Sequence, residues 1–243
     1  MFYAGQGVRK DYKKAVTWLQ EAAEQGHMYA QSVLAGIYRE GTGRIKKDSI
    51  LALKWYTESA KQGYALDQCF VSEMYEKGEG TEVDYEKSFE WALKAALNGF
   101  APYQCKIGNY YRLGLGVEKD FDKAYYWLIK AAKQDYWDAL TGIGLLYMIG
   151  SDSINRDINR AQRWFTRAIS FYDDFAVMIS EYISIYSGKN VYDLKRFKKW
   201  LFAKAASGNR TAGEAILSSY LYGYVTPIDN KKSRNWEKRL SLD

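Results

Sequence analysis

The sequence predicts an all-α fold: a right-handed α-solenoid of antiparallel helix pairs with a period of about 36 residues. Tryptophan recurs at intervals of 36 or 37 residues, and an aspartate stands seven residues before each of these tryptophans. Only two prolines occur among the 243 residues, which favours helices packed on helices. A register that is kept over seven copies indicates one repeating structural unit. The tryptophans are Trp18, Trp55, Trp91, Trp127, Trp164, Trp200 and Trp236.

Each repeat is predicted to begin with the helix that carries the tryptophan. The aspartate lies at the N-cap position, where its carboxylate can accept hydrogen bonds from the free N–H groups of the first turn. A catalytic carboxylate is needed once rather than in every helix, so capping explains the repetition better than acid–base chemistry. The residue four positions after the aspartate is small in six of the seven copies, Phe197 being the exception, which lets another helix approach closely. The aspartates are Asp11, Asp48, Asp84, Asp120, Asp157, Asp193 and Asp229.

A second helix is predicted after the glycine that ends the first one, as at Gly26 and Gly63. Counted from the tryptophan, offsets 12, 16, 19 and 20 form one helical stripe, which we expect to be buried. In the first copy these residues are Ala30, Leu34, Ile37 and Tyr38. The fifth repeat departs from the pattern, with Tyr172 in place of the glycine. We expect altered packing there, with the solenoid continuing beyond it.

Two segments carry a resemblance to a known family. The stretches YEKGEGTEVDYEKSFEWALKAALNG (75–99) and YRLGLGVEKDFDKAYYWLIKAA (111–132) resemble the Sel1-like repeat, a relative of the tetratricopeptide repeat. The resemblance extends over essentially the whole chain. It implies a single array over residues 1–243 of six to seven repeats, the first incomplete at the N-terminus. It also implies a non-catalytic adaptor or scaffold that binds another protein on the concave face of the solenoid.

Few residues could support catalysis or metal binding. His27 is the only histidine, and with two cysteines it cannot form a four-ligand zinc site without carboxylates. Cys69 and Cys105 lie at equivalent positions of adjacent repeats. Stacked helices are ~8–10 Å apart, farther than the Cα separation of about 7 Å that a disulfide tolerates. We therefore predict two free thiols, no metal, no cofactor and no catalytic residue. A hydrolase with a site in the groove is the alternative, but no titratable cluster in the sequence supports it.

The positive charge of the chain is concentrated near its C-terminus. Residues 1–188 contain 23 Lys and Arg against 24 Asp and Glu, a net charge of −1, whereas residues 189–243 contain 12 against 5, a net charge of +7. No stretch approaches the roughly 20 apolar residues of a membrane span, and the N-terminus lacks the apolar region of a signal peptide. The sequence therefore predicts a cytoplasmic protein. A signal peptide upstream of Met1 would instead direct it to the periplasm or outside the cell.

A second stripe on the second helices, at offsets 10, 13, 14, 17 and 21, is where we expect partner specificity, because it can vary without breaking the repeat. In the first three copies it is small or polar and includes Arg112. In the next three it becomes apolar, which is typical of a contact surface. The alternative is that these side chains fill gaps left by the irregular fifth repeat. The apolar candidates are Trp137, Leu140, Met148, Val177, Met178, Ile185, Leu217 and Leu221.

The segment DLKRFKKWLFAK (193–204) adds a cationic helix. It could meet an acidic protein, nucleic acid or a membrane surface, or it could simply be a solvated helix face. Nucleic acid is disfavoured, since no recognition helix or RNA-repeat code is present. A narrower hypothesis, implied by the resemblance, is an immunity protein that neutralises a bacterial secreted toxin or effector enzyme. The basic candidates are Lys195, Arg196, Lys198 and Lys199.

Overall fold

A computed structural model describes residues 12–41, 45–151, 153–185, 194–224 and 229–241 of the protein. Within these residues it contains thirteen α-helices and no β-strand, which confirms the predicted all-α helical repeat fold. None of the helices in this part of the chain is long and apolar enough to cross a membrane. The helices are α1 (Tyr12–Glu24), α2 (Met28–Glu40), α3 (Ser49–Lys61), α4 (Ala65–Lys77), α5 (Tyr85–Leu97), α6 (Ala101–Leu113), α7 (Phe121–Ala132), α8 (Trp137–Ile149), α9 (Ile158–Ile169), α10 (Asp174–Ile185), α11 (Leu194–Ala206), α12 (Arg210–Tyr222) and α13 (Asn230–Leu240).

The chain divides into two compact units, residues 1–103 and 104–243, and the boundary falls within α6. In the first unit α2 packs against α1 and α3, and α4 packs against α3 and α5. Its core includes the fully buried side chains of Leu34 and Met74. In the second unit α8 packs in the same way against α7 and α9. The single array over residues 1–243 stays a prediction.

The predicted aspartate caps are present at the start of the first helices. Asp48 Oδ1 accepts hydrogen bonds from the backbone N–H groups of Ile50 and Leu51 at 3.1 and 3.0 Å. Asp11 and Asp193 lie outside the described residues. This confirms capping as the role of the repeated carboxylate in the described copies. The other caps observed are Asp84, Asp120, Asp157 and Asp229.

Each cap is also linked to the tyrosine that ends the preceding second helix. The backbone N–H of Asp84 donates to the carbonyl oxygen of Tyr75 at 2.9 Å. Lys87 pairs with the Asp84 carboxylate at 2.9 Å, and its ammonium lies 5.3 Å from the centre of the Tyr75 ring. The same arrangement recurs at residues 111, 120 and 123, and at residues 220, 229 and 232. The recurring aspartate, basic residue and tyrosine therefore form one joint between consecutive repeats.

Small residues allow the helices of neighbouring repeats to approach closely, as predicted. Ser88 Oγ donates to the carbonyl oxygen of Ser72 at 2.8 Å across the contact between α4 and α5. In the second unit a Cβ atom at Gly144 would lie 2.4 Å from a ring carbon of Phe165. Phe197, the exception to the small-residue rule, is fully buried. Ser88 and Gly144 therefore leave room for the facing helix to approach.

The packing changes after the fifth repeat, as expected. Tyr172 occupies the position of the usual glycine with a φ of 63°, in the left-handed region that favours glycine. Beyond it α10 packs mainly against α12 and meets α11 only marginally. The helices nevertheless continue, since α12 packs against both α11 and α13. The C-terminal helices thus contact α10 in a different way from the earlier repeats.

Candidate protein-binding surface

The stripe at offsets 13, 14 and 17 is used by the fold, which corrects the expectation that it varies freely. Gln68 Nε2 donates to the carbonyl oxygen of Ala60 at 3.3 Å, and its Oε1 accepts from Asn98 Nδ2 at 3.2 Å. Gln31 makes the same two links, to Ala23 at 3.0 Å and from Gln62 at 2.7 Å. A buried amide at offset 13 therefore ties together three successive helices. The second helices α2, α4, α8 and α12 are covered on two sides because each packs against the first helices of two repeats.

Three of the apolar candidates are buried and are not retained as contact residues. Leu140, Met148 and Met178 expose 3% of their surface or less. Leu140 takes the place of the amide at offset 13, and an apolar side chain there fills space between helices. Side chains without exposed surface cannot reach a partner. Their burial favours the alternative that they fill gaps around the irregular fifth repeat.

The remaining apolar candidates keep some exposure. Trp137, Val177 and Leu217 are half-buried, and Ile185 at the end of α10 is 56% exposed. The side chain of Leu221 lies outside the described residues. The packing of α10 on α12 brings together the helices that carry Val177, Ile185 and Leu217. An apolar contact surface in this region is therefore limited to a few side chains.

Arg112 is also buried, so it is corrected from a contact residue to a structural one. Its Nη2 donates to the carbonyl oxygen of Gly223 at 3.1 Å, and its Nε donates to Asn109 Oδ1 at 3.1 Å. Gly223 is the left-handed residue that ends α12, so the guanidinium satisfies a free carbonyl at a helix C-terminus. Burial lowers the pKa of Arg112 to about 10, and it remains a cation at neutral pH.

Two buried carboxyl groups lie in the same unit. Asp138 accepts a hydrogen bond from the hydroxyl of Tyr224, and Asp173 accepts one from the hydroxyl of Thr141. The ring centres of Tyr224 and Phe175 are 4.4 Å apart. Burial raises the pKa of Asp138 to about 7, although the bond from Tyr224 opposes the shift. Sequence reasoning missed this cluster. Its only signal was Asp138 itself, an acidic residue at the position that Tyr29, Leu66 and Pro102 occupy in the earlier repeats.

The cations of α11 are placed on or near the surface. Lys195, Arg196 and Lys199 are exposed, and Lys198 is half-buried with its ammonium 5.9 Å from the ring centre of Phe202. Arg196 stands three residues after the cap position, where Lys87 of an earlier repeat pairs with its aspartate. This position favours a structural role for Arg196. Lys195, Lys198 and Lys199 do not lie at this position, so the comparison assigns them no structural role.

Sequence reasoning singled out α11 but missed α13. The helix NKKSRNWEKRL carries five basic residues and one acidic residue. Two cavities adjoin it, of about 650 and 440 Å³, and both are lined by Trp236 and Arg239. The signal that could have identified this region was Gly213, which stands at offset 13 where the first three repeats have glutamine.

The other candidates for chemistry are the single histidine and the two cysteines. His27 lies at the N-cap of α2 without a side-chain capping bond. Cys69 and Cys105 are buried thiols that form no disulfide, and burial raises the pKa of the Cys105 thiol. Across the described ranges no group of three or more His, Cys, Asp or Glu side chains is placed to hold a metal ion. The absence of catalytic and metal-binding residues stays a prediction.

The helix pairs and their recurring joints define an all-α helical repeat protein. Residues 1–27, 29–64, 65–100, 101–136 and 137–170 match the Sel1 repeat. The chain therefore belongs to the Sel1 repeat family, which confirms the resemblance. The matched segments end at residue 170, before the region where α10 packs on α12.

Solved structures with this fold include two bacterial proteins of similar sequence. A Sel1 repeat protein from Oxalobacter formigenes is 28% identical over 94% of this chain and 92% of its own, with a TM-score of 0.62. A protective antigen of uropathogenic Escherichia coli is 24% identical over 99% of this chain, with a TM-score of 0.52, and the chain spans 59% of its length. An immunity protein from Pseudomonas aeruginosa is 19% identical over 64% of this chain and 72% of its own, but its TM-score of 0.32 carries no argument about function. No curated protein matches the chain.

Proposed function

We propose that the protein is a non-catalytic interaction scaffold that binds another protein. Sel1 repeats are in general protein-interaction repeats, and the chain belongs to that family. The observation that carries the proposal is that the recurring residues hold the repeats together, whereas other residues remain at the surface. Residues that recur in register form the caps, joints and amide links between helices, as Asp84, Tyr75 and Gln68 do. Surface residues outside these recurring positions, above all Lys195, Lys198 and Lys199 of α11, are left to determine the partner.

The proposed surface lies around α10 and α11. It includes Ile185, with the half-buried Trp137, Val177 and Leu217 as part of the concave face, and the cations Lys195, Lys198 and Lys199. An ion pair between Lys204 and Glu181 joins α11 to α10. An apolar side chain beside several cations fits a partner that presents apolar and acidic residues together.

Affinity purification from cells that produce the protein, followed by mass spectrometry, tests this proposal. The double variant Ile185→Glu/Lys199→Glu should lose partners that the wild type retains. The matched control is Ile50→Glu/Lys46→Glu, which makes the same changes at exposed residues of the first unit. If no partner depends on the first pair, the proposed surface is wrong. If no specific partner is recovered at all, the scaffold function itself fails. The identity of the partner would also decide whether it is a secreted toxin.

The concentration of charge favours a second candidate, binding of nucleic acid or an anionic membrane by the C-terminal part. Residues 189–243 have a net charge of +7, and such a surface attracts polyanions. Retention on heparin that persists after Lys195, Arg196, Lys198 and Lys199 are changed to Glu would exclude these residues from that role.

A further inference from the structure

A cavity of about 650 Å³ lies between the end of α11, the start of α12 and the last turn of α13. Its apolar wall includes Phe202 and Trp236, whose rings meet edge to face with their centres 6.1 Å apart. Arg210 and Arg239 line the same cavity. A second cavity of about 440 Å³ shares Trp236 and Arg239 with the first. Pockets of roughly 300–1,000 Å³ are the usual size for recognition of a small ligand or a few side chains.

The cavity lies where the repeat sequence has changed at offset 13 from the glutamine of the first three repeats to glycine. Gln31, Gln68 and Gln104 stand thirteen residues after their tryptophans, and each accepts a hydrogen bond from an amide of the following first helix or its end. Gly213 occupies this position in the sixth repeat and cannot form an amide link. Leu240 of α13 packs on it instead, since a Cβ at Gly213 would lie 2.8 Å from Leu240 Cδ2, and both residues line the cavity.

The cavity is surrounded by positive charge. Helix α13 has five basic residues against Glu237, and the guanidinium of Arg239 lies 5.1 Å from the ring centre of Trp236. Arg210 has one acidic neighbour, Glu214, at 3.6 Å. Residues 189–243 keep a net charge of +7 after these carboxylates have been counted. The complementary ligand is therefore acidic.

We propose that the cavity beside α13 binds an acidic peptide segment of a partner protein. An apolar side chain of the segment packs against Phe202 and Trp236, and its carboxylates pair with Arg239 and Arg210. Arginine suits this role because its planar guanidinium can bind a carboxylate through two hydrogen bonds. The proposal rests on the protein-binding function proposed above and names the chemistry of the partner.

The geometry favours a peptide over nucleic acid or a membrane. Bases stack on open aromatic faces, whereas the Trp236 ring has Arg239 over it and the edge of Phe202 against it. Membrane surfaces are bound by helices whose apolar side chains protrude, whereas Trp236 and Leu240 on α13 are half-buried and line a concavity. A cavity with a cationic rim instead suits one side chain and its flanking carboxylates.

Selection from a phage-displayed library of random peptides tests the proposal. The full-length protein is used as bait, and the double variant Arg239→Glu/Ala206→Trp serves for counter-selection. Ala206 is exposed and lines the cavity, so the tryptophan blocks the space while the glutamate reverses the charge. Enriched peptides are expected to combine Asp or Glu with a large apolar residue. Enrichment of basic or uncharged peptides, or equal recovery on the variant, would overturn the proposal.

Fluorescence anisotropy with a labelled enriched peptide then measures the contribution of single residues. Arg239→Glu should weaken binding by about tenfold or more. Lys238→Glu, the same reversal on the next residue but outside the cavity lining, should weaken it by less than about threefold. Equal losses would indicate general attraction to positive charge and refute the site. Circular dichroism of each variant establishes that it is folded.

The site and the proposed function can fail separately. If the purified protein retains its partner after Arg239→Glu/Ala206→Trp, this site is refuted while the scaffold function stands. If the protein binds an oligonucleotide or anionic vesicles more tightly than any enriched peptide, and Arg239→Glu abolishes that binding, the peptide proposal is refuted in favour of the polyanion. Loss of the partner with Arg239→Glu but not with Lys238→Glu supports the site.

Discussion

Asp138 provides a direct test of the buried polar cluster through the pH dependence of stability. Burial raises the pKa of its carboxyl group from 3.8 to about 7 in the folded protein. The folded state therefore holds a proton that the unfolded state has already released above about pH 4. The stability that Asp138 contributes is fully present below its pKa in the unfolded state, and it is lost as the pH rises through its pKa in the folded state. Stability should fall between about pH 4 and about pH 7 on account of Asp138.

Asp138→Asn removes the titration while keeping an oxygen that can accept the hydrogen bond from Tyr224. The gap between 3.8 and about 7 sets an upper limit of about 4 kcal/mol, at ~1.4 kcal/mol for each pKa step. Relative to wild type, the variant should gain up to this amount as the pH is raised from below about 4 to about 8. Below about pH 4 the change of stability on substitution no longer depends on this titration, since the carboxyl is then largely neutral in both the folded and the unfolded state.

Urea unfolding followed by circular dichroism at several pH values measures this difference. The quantity to compare is the free energy of unfolding of the variant minus that of wild type, because other carboxyl groups titrate in both proteins. Asp84→Asn is a control of opposite sign, since backbone hydrogen bonding at its cap lowers the pKa of Asp84. If the wild type and Asp138→Asn lose stability in parallel from acid to alkaline pH, Asp138 is not protonated in the folded protein and the reasoning is refuted.

Four further substitutions test the helix packing, a helix cap and the left-handed backbone at residue 172. Gly144→Ala should lower the free energy of unfolding by about 1–3 kcal/mol, because the new Cβ would lie 2.4 Å from a Phe165 ring carbon. Gly36→Ala should raise the free energy of unfolding by roughly 0.5–1 kcal/mol, because its Cβ would meet nothing closer than 3.5 Å. Urea titrations in which the two alanine variants behave alike would contradict this contrast. Asp84→Ala should lower the Tm because the helix loses its cap, and an unchanged Tm would argue against capping. Tyr172→Gly should raise the free energy of unfolding by about 1 kcal/mol, because glycine adopts the left-handed backbone at this position without strain. An unchanged urea midpoint would disprove this prediction.

The repeating part of the fold could be predicted from the sequence because each recurring residue has a local role. Asp84 caps the helix that follows it, and Ser88 faces the preceding helix one turn later. Helical spacing also identified the buried stripe that contains Leu34 and Ile37. These assignments depend on contacts between residues that are a few positions or one repeat apart. A periodic sequence pattern can reveal contacts of that kind.

The candidate site was predicted less well, because its contacts join distant residues. Spacing along one helix shows which side chains share a face, but not how many neighbouring helices cover that face. Leu140 and Met148 were therefore assigned to a surface although α8 is covered by both α7 and α9. Arg112 meets Gly223 and Tyr224 meets Asp138 across 111 and 86 residues of chain, separations that no repeat register reveals.

The contact between Arg112 and Gly223 has a consequence for how the second unit folds. Helical repeats usually gain stability from nearest neighbours, so they can fold and unfold a few repeats at a time. A bond that closes 111 residues of chain forms only after a large loss of chain entropy. Contacts of such high sequence separation slow folding and join the ends of the segment into one cooperative block. We therefore expect the amides of α6 and α12 to exchange with solvent together, by unfolding of the whole unit, while α2 and α4 exchange independently of them.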